Sequence, residues 1–273
     1  MSLRPVRLSA SFKEKVWGSE CLEPWYPSVK EKIGEVWFGE ERNLPILVKF
    51  LFTSDRLSVQ VHPDDEFAAR HHGEGARGKT EMWHILRADP GAKIALGFRE
   101  PVEAHRLAGY CASGEIERLL NWIEVEAGDT YFTPAGTVHA IGGGLVLCEI
   151  QQQSDITYRL YDYGRPRELH LERGLQVSQT SAHPGRRARV DLAVGAQLLA
   201  ECEHFRTELH EFERGIDHQP LDDRDEILIF IAGNGTLRGQ PYNMGDAWLL
   251  PGGIGATRIE PLAPTRFLRT WAP

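Results

Sequence analysis

Short apolar or alternating segments separated by turn residues dominate the chain, the pattern of an all-β barrel or sandwich. Pro45 to Phe52 reads as a buried strand and Leu57 to Val61 as the next. Met82 to Leu86, Ala92 to Leu96, Thr130 to Phe132 and Leu145 to Ile150 read as further strands. Helical signals are few. Pro63-Asp64-Asp65-Glu66-Phe67-Ala68 has the proline and acids of a helix start. Pro101 to Leu107 and Glu115 to Trp122 predict two short helices, broken around Gly109 and Gly114.

The pattern also repeats. Gly128, Pro134, Gly136 and His139 fit the frame G-x5-P-x-G-x2-H, in which glycines permit tight corners, proline fixes one, and a histidine follows the bend. Gly245, Pro251 and Gly253 repeat the frame, with Ala256 where the first copy has His139. Glu226 to Gly235 likewise echoes the stretch that begins at Glu81, with Asn234-Gly235 as the expected hairpin turn. The frame resembles the second sequence motif of the cupin superfamily. The expected architecture is therefore all-β: two tandem cupin modules, each a jelly roll or double-stranded β-helix, with a few short helices. Residues 1–177 would be the metal-binding module, 178–189 a polar linker containing Pro184 and Gly185, and 190–273 a metal-free module.

Composition narrows the partners. A chain of 273 residues with 41% apolar content can bury an ordinary globular core. The net charge of -8 argues against nucleic acid, whose phosphates require a basic surface. An anionic substrate remains compatible where cations gather locally, with Lys79, Arg159 and Arg165 as candidates. Cys21, Cys111, Cys148 and Cys202 form no C-x-x-C pair and suit free thiols in a reducing compartment. The start Met1-Ser2-Leu3-Arg4-Pro5 lacks the plan of a signal peptide. The longest apolar run, Leu44 to Phe52, is interrupted by Lys49 and is too short for a bilayer. The expectation is a cytoplasmic monomer or homodimer with no membrane partner.

The chemistry starts from Gln60-Val61-His62-Pro63. Residues two apart on a strand share a face, so Gln60 and His62 reach inward together. Glu81 adds an anionic oxygen and His139 a second imidazole, two nitrogens and two oxygens of the kind a zinc-like ion accepts.

Four stretches then resemble type I phosphomannose isomerase, in its short bacterial branch. They are Phe12 to Gly18, Leu57 to Asp65, Gly78 to Trp83, and Gly128 through Asp155-Ile-Thr-Tyr-Arg159-Leu-Tyr-Asp162. The resemblance implies that Gln60, His62, Glu81 and His139 bind Zn2+, and that Ser58, Lys79, Glu149, Asp155 and Arg159 line a sugar-phosphate pocket. It also implies interconversion of mannose 6-phosphate and fructose 6-phosphate. Arg165 stands where other branches carry a lysine, and Trp17 would sit at the barrel mouth. With one carboxylate and three neutral ligands, an ion would keep a local charge of about +1 for the oxygens of a cis-enediol. Arg159 would stabilise charge, Lys79 would hold phosphate or hydroxyl groups, and Asp155 would orient Arg159. The proton carrier is left open between Glu149 and a metal-held water.

Two other classes fit parts of the pattern. An iron-dependent cupin oxygenase would carry more histidines, and the amide Gln60 disfavours it. A non-catalytic sugar-phosphate-binding cupin would account for the degenerate second module but gives no use to a full ligand set.

Overall fold

The computed structural model describes residues 3–183 and 185–273; Pro184, within the expected linker, lies outside them. Every strand pairing is antiparallel, in two modules built to one plan. The first has a six-stranded sheet in the order Ala10–Ser19, Ile33–Phe38, Ile46–Thr53, Leu145–Gln152, Glu81–Ala88 and Thr130–Thr133. Facing it is a five-stranded sheet of Tyr158–Tyr161, Val59–Val61, His139–Ile141, Lys93–Phe98 and Leu120–Glu124. The second module repeats the core of that order. Arg206–Phe212, Thr265–Trp271, Glu226–Ala232 and Ala247–Leu250 follow one another in its larger sheet, and Ile216–His218, Thr257–Pro261, Asn234–Leu237 and Gln240–Asn243 form the smaller one.

Strand Ile46–Thr53 is buried at every residue because both of its faces are covered. Ile46, Val48, Phe50 and Phe52 enter a core shared between the modules, which also takes Leu199, Phe205, Leu209, Ile227 and Leu268. Leu51 points to the opposite face, into the interior of the first barrel with Trp83 and Leu147. The alternation continues in Leu145–Gln152, where Val146, Cys148 and Ile150 join the shared core while Leu145 and Leu147 face the barrel. The modules are further joined at the start of the chain, where Val6–Arg7 extends the second module's larger sheet against Trp248 and Leu249.

Three expected elements are corrected. Ala104–Ser113 is one helix that runs through Gly109 and ends at Gly114, whose φ of 78° closes it in the left-handed region. Only Ile116–Leu119 continues as helix; from Leu120 the chain extends to pair with Lys93–Phe98. The hairpin turn falls at Arg238-Gly239, not at Asn234-Gly235. Arg238 (φ 50°) and Gly239 (φ 79°) supply the two positive angles of a two-residue hairpin. Gly235 lies inside a strand, where a Cβ would meet the Glu260 carbonyl at 2.2 Å. Helix Leu171–Val177 was not anticipated.

The connector is strapped to the first module. Ala182 bridges Gly97 and Phe98, Gln179 bridges Thr137, and the Arg187 N–H donates to the Thr130 carbonyl at 3.0 Å.

Candidate metal centre and sugar-phosphate cleft

The Gly128 to His139 turn delivers its histidine as the spacing requires. Gly136 has a φ of 85°, and its N–H donates to the His62 carbonyl at 2.8 Å, tying the turn to the segment that carries the other imidazole. His139 then opens strand His139–Ile141 directly opposite Gln60. Each imidazole is oriented through Nδ1, His62 on the Ile156 carbonyl and His139 on the Thr137 carbonyl, both at 2.9 Å. Those bonds place the proton on Nδ1 and leave an Nε2 lone pair directed inward.

The two Nε2 atoms approach the Glu81 carboxylate at 3.7 and 3.4 Å, and ligand atoms of the three residues lie within 4.8 Å of one another. Neither oxygen of the wholly buried Glu81 accepts an aligned hydrogen bond, although Lys79 Nζ lies 2.9 Å from Oε2. Lys79 Nζ also lies 3.1 Å from His62 Nε2; in chemistry, two neutral imidazole nitrogens and a buried carboxylate are a donor set that fits a divalent cation. Gln60 lies beside it, on the strand opposite His139. Its Nε2 lies 3.2 Å from His139 Nε2 and its Oε1 accepts from the Ser58 hydroxyl at 3.2 Å, so ligation through oxygen uses the reversed amide rotamer.

Electrostatics match that geometry. Burial, reinforced by Lys79 and His139, pushes the His62 imidazole well below its ordinary value, and burial takes His139 down to about 4. Both rings are therefore neutral at pH 7, the form that ligates metal. Burial raises Glu81 against the opposing pull of Lys79. Burial alone would lower Lys79, but Glu149 and Glu81 outweigh it and hold the ammonium charged.

Beside this cluster opens a cleft of about 270 Å³, whose walls include Trp17, Ser58, Lys79, Glu149, Asp155 and Arg159. Glu149 faces inward, between Lys49 at 3.4 Å and Lys79 at 3.8 Å, and accepts from Trp83 Nε1 at 3.2 Å. Lys49 is the principal residue that the sequence reading passed over. A lysine in the middle of an apolar strand, 2% exposed, needs a buried partner, and that was the available signal. Lys15, Glu35, Thr157 and Arg167 also line the cleft without having been anticipated.

Two expected placements differ. Asp155 and Arg159 form no ion pair; Arg159 Nη1 donates to the Glu168 carbonyl at 2.7 Å, and its buried Nε has no partner. They flank an extended segment, in which residues four apart are not neighbours as they are on a helix. Arg165 is turned from the cleft, bonding Asp162 and the Arg56 carbonyl at 2.9 Å each. Arg167 takes the wall instead, held by two 2.6 Å bonds to the buried Asp162.

The second barrel has a protein cation in the corresponding region. Ile227 pairs with Thr270 as Met82 pairs with Ile150, so Glu226 corresponds to Glu81 and Arg269 to Glu149. Arg269 pairs with Glu208 across the next strands as Glu149 pairs with Lys49, so the charges are reversed between the modules. The Arg269 guanidinium donates to Glu226 from Nε at 2.9 Å and Nη2 at 2.6 Å, and His218 Nε2 bonds the other oxygen of Glu226.

The sequence model of the phosphomannose isomerase type I catalytic domain matches residues 7–82. Mannose-6-phosphate isomerase ManA of Bacillus subtilis (strain 168) is 32% identical over an alignment spanning 95% of this chain and 97% of ManA. The chain belongs to the type I phosphomannose isomerase family. A phosphomannose isomerase relative from Streptococcus mutans, named mannose-6-phosphate isomerase, is 37% identical over 63% of this chain and 67% of its own. The crystal structure of mannose 6-phosphate isomerase from Bacillus subtilis superposes with a TM-score of 0.87 at 28% identity, covering 97% of this chain and 99% of that one. The phosphomannose isomerase fold extends to a putative mannosephosphate isomerase from Archaeoglobus fulgidus, at a TM-score of 0.80 and 21% identity over 99% of both chains. Among the described residues no helix is long and apolar enough to cross a membrane.

Proposed function

We propose that this chain is a zinc-dependent mannose-6-phosphate isomerase that interconverts mannose 6-phosphate and fructose 6-phosphate through a cis-enediol. The observation that carries the reading is the convergence of His62, Glu81 and His139 in a buried cluster whose carboxylate oxygens lack aligned partners. With Gln60 these residues would hold the ion. Bound there, zinc supplies Lewis-acid stabilisation of charge on adjacent sugar oxygens.

The remaining roles fall to the cleft. Glu149, between Lys49 and Lys79, is placed to carry the proton between C2 and C1. Lys79 holds a sugar hydroxyl beside the ion, and Arg159, with its Nε unpartnered, receives an anionic oxygen. Ser58 orients the Gln60 amide. Trp17 and Asp155 shape the entrance, while Arg165 acts indirectly by holding Asp162, which aims Arg167 at the substrate. Residues 1–177 carry the chemistry, 178–189 connect, and 190–273 serve as scaffold. All four cysteines are free, which suits the cytoplasm.

Purified protein should interconvert the two sugar phosphates, lose activity to a chelator and regain it with zinc, with metal analysis giving one ion per chain. Absence of turnover in metal-replete protein would rule the function out.

A further inference from the structure

The cleft charges alternate in sign along a line that continues past the residues assigned above. Outward from Glu81 come Lys79 at 2.9 Å, Glu149 at 3.8 Å from Lys79, and Lys49 at 3.4 Å from Glu149. Beyond Lys49 lies Glu35, and beyond Glu35 lies Lys15, whose Nζ is 3.2 Å from the Glu35 carboxylate. Three lysines and three glutamates make a neutral set that opens to solvent only at its outer end, where the Lys15 side chain is 35% exposed.

Register sets where Glu35 lies relative to Lys49. Trp37 is directly opposite Lys49 and Glu35 is opposite Leu51, which makes Glu35 the diagonal neighbour of Lys49 on the same face. The Lys49 ammonium lies 4.4 Å from the Trp37 ring centroid, and Trp37 Nε1 donates to Glu35 at 2.8 Å. The indole thus links the two, its face toward the ammonium and its N–H on the carboxylate. Lys49 and Lys15 together overcome the burial of Glu35 and hold its carboxyl below the ordinary range, so the group that anchors Trp37 is an anion. The arrangement is confined to the first barrel, because Leu198 and Glu208 occupy the positions of Trp37 and Lys49 in the second.

We propose that Glu35 is a positioning residue for the isomerisation: by anchoring the Trp37 indole that backs the Lys49 ammonium, it keeps Lys49 in its place 3.4 Å from Glu149. An ammonium held on an anchored aromatic face keeps one place beside the reacting groups, and one whose support is free to turn does not. The inference rests on Glu149 being the proton carrier.

Zinc-loaded protein assayed with fructose 6-phosphate tests it. Glu35→Gln should keep one metal per chain and a KM within about threefold of wild type while kcat falls about 30- to 100-fold, and Glu35→Asp should recover most of that loss. Lys49→Met/Glu35→Gln, which removes both charges together, should fold and match the kcat of Lys49→Met alone, whether or not Glu35→Gln folds by itself. A wild-type kcat in Glu35→Gln, or a further loss above about tenfold on adding Glu35→Gln to Lys49→Met, overturns the inference. Failure of the isomerase reading shows separately, as wild-type protein that does not turn over the sugar.

Discussion

A single side chain decides whether the metal centre exists. His139 reaches the cluster from a turn held by backbone bonds of Gly136 and Thr137 and by Thr80 and Gln179, so His139→Ala, which removes only the Nδ1 bond to the Thr137 carbonyl, should abolish metal retention and activity while leaving the fold intact. Metal analysis and a thermal melt on the same sample check both halves. Elsewhere in the first module, burial, with Arg189 and Arg266 nearby, pushes the His84 imidazole down to about 3, against about 6.5 for an unfolded histidine. The unfolded chain binds the extra proton between these values. Stability from His84 is therefore fully present above about pH 6.5 and is lost as the pH falls toward 3, at up to ~1.4 kcal/mol per pH unit. His84→Gln should flatten the acid limb of a denaturant-derived stability profile, and an unchanged slope would count against this account. The convergence of His62, Glu81 and His139 was legible in the sequence because spacing and residue type both constrain such a cluster. Lys49, Glu35 and Arg167 were not, because their meaning depends on which strands lie opposite.

Strands were read more surely than helices and turns. Ile46–Thr53 and Leu145–Gln152 announce themselves by apolar content, which burial on both faces demands. The segment Glu115 to Trp122 misled because Leu120–Glu124 is drawn into a sheet by a partner strand, and local propensity does not know of that partner. Asn234-Gly235 misled in the same way, being a favoured turn pair that tertiary structure uses as strand. The true turn holds Arg238 in the left-handed region, where Asn is better tolerated. Arg238→Asn should raise stability by about 0.5–1 kcal/mol, read from a shift in the urea midpoint at constant slope.

At the scale of the whole molecule, two copies of one plan have diverged in charge. The first gathers neutral imidazoles around a carboxylate paired with Lys79; the second fills its corresponding region with Arg269 between Glu226 and Glu208. Arg269→Met should cost about 3–5 kcal/mol, because it leaves the buried Glu226 without its guanidinium partner while Glu208 keeps Arg206 at 3.0 Å, yet leave kcat unchanged. Chemical denaturation beside a kinetic assay separates the two effects. The shared core makes the modules interdependent, since Phe50 and Phe52 of one pack in the same cluster as Phe205 and Leu268 of the other. By itself, the sequence determined the all-β class, the repeat and the residues of the His62, Glu81 and His139 cluster, because periodicity and turn spacing are local properties of a chain. Only the tertiary structure decided that Arg167 rather than Arg165 faces the cleft, that Lys49 and Glu35 flank the ion-pair line, and that the second barrel carries its own cation. Those depend on register between distant strands, and register is set by the packing of the whole.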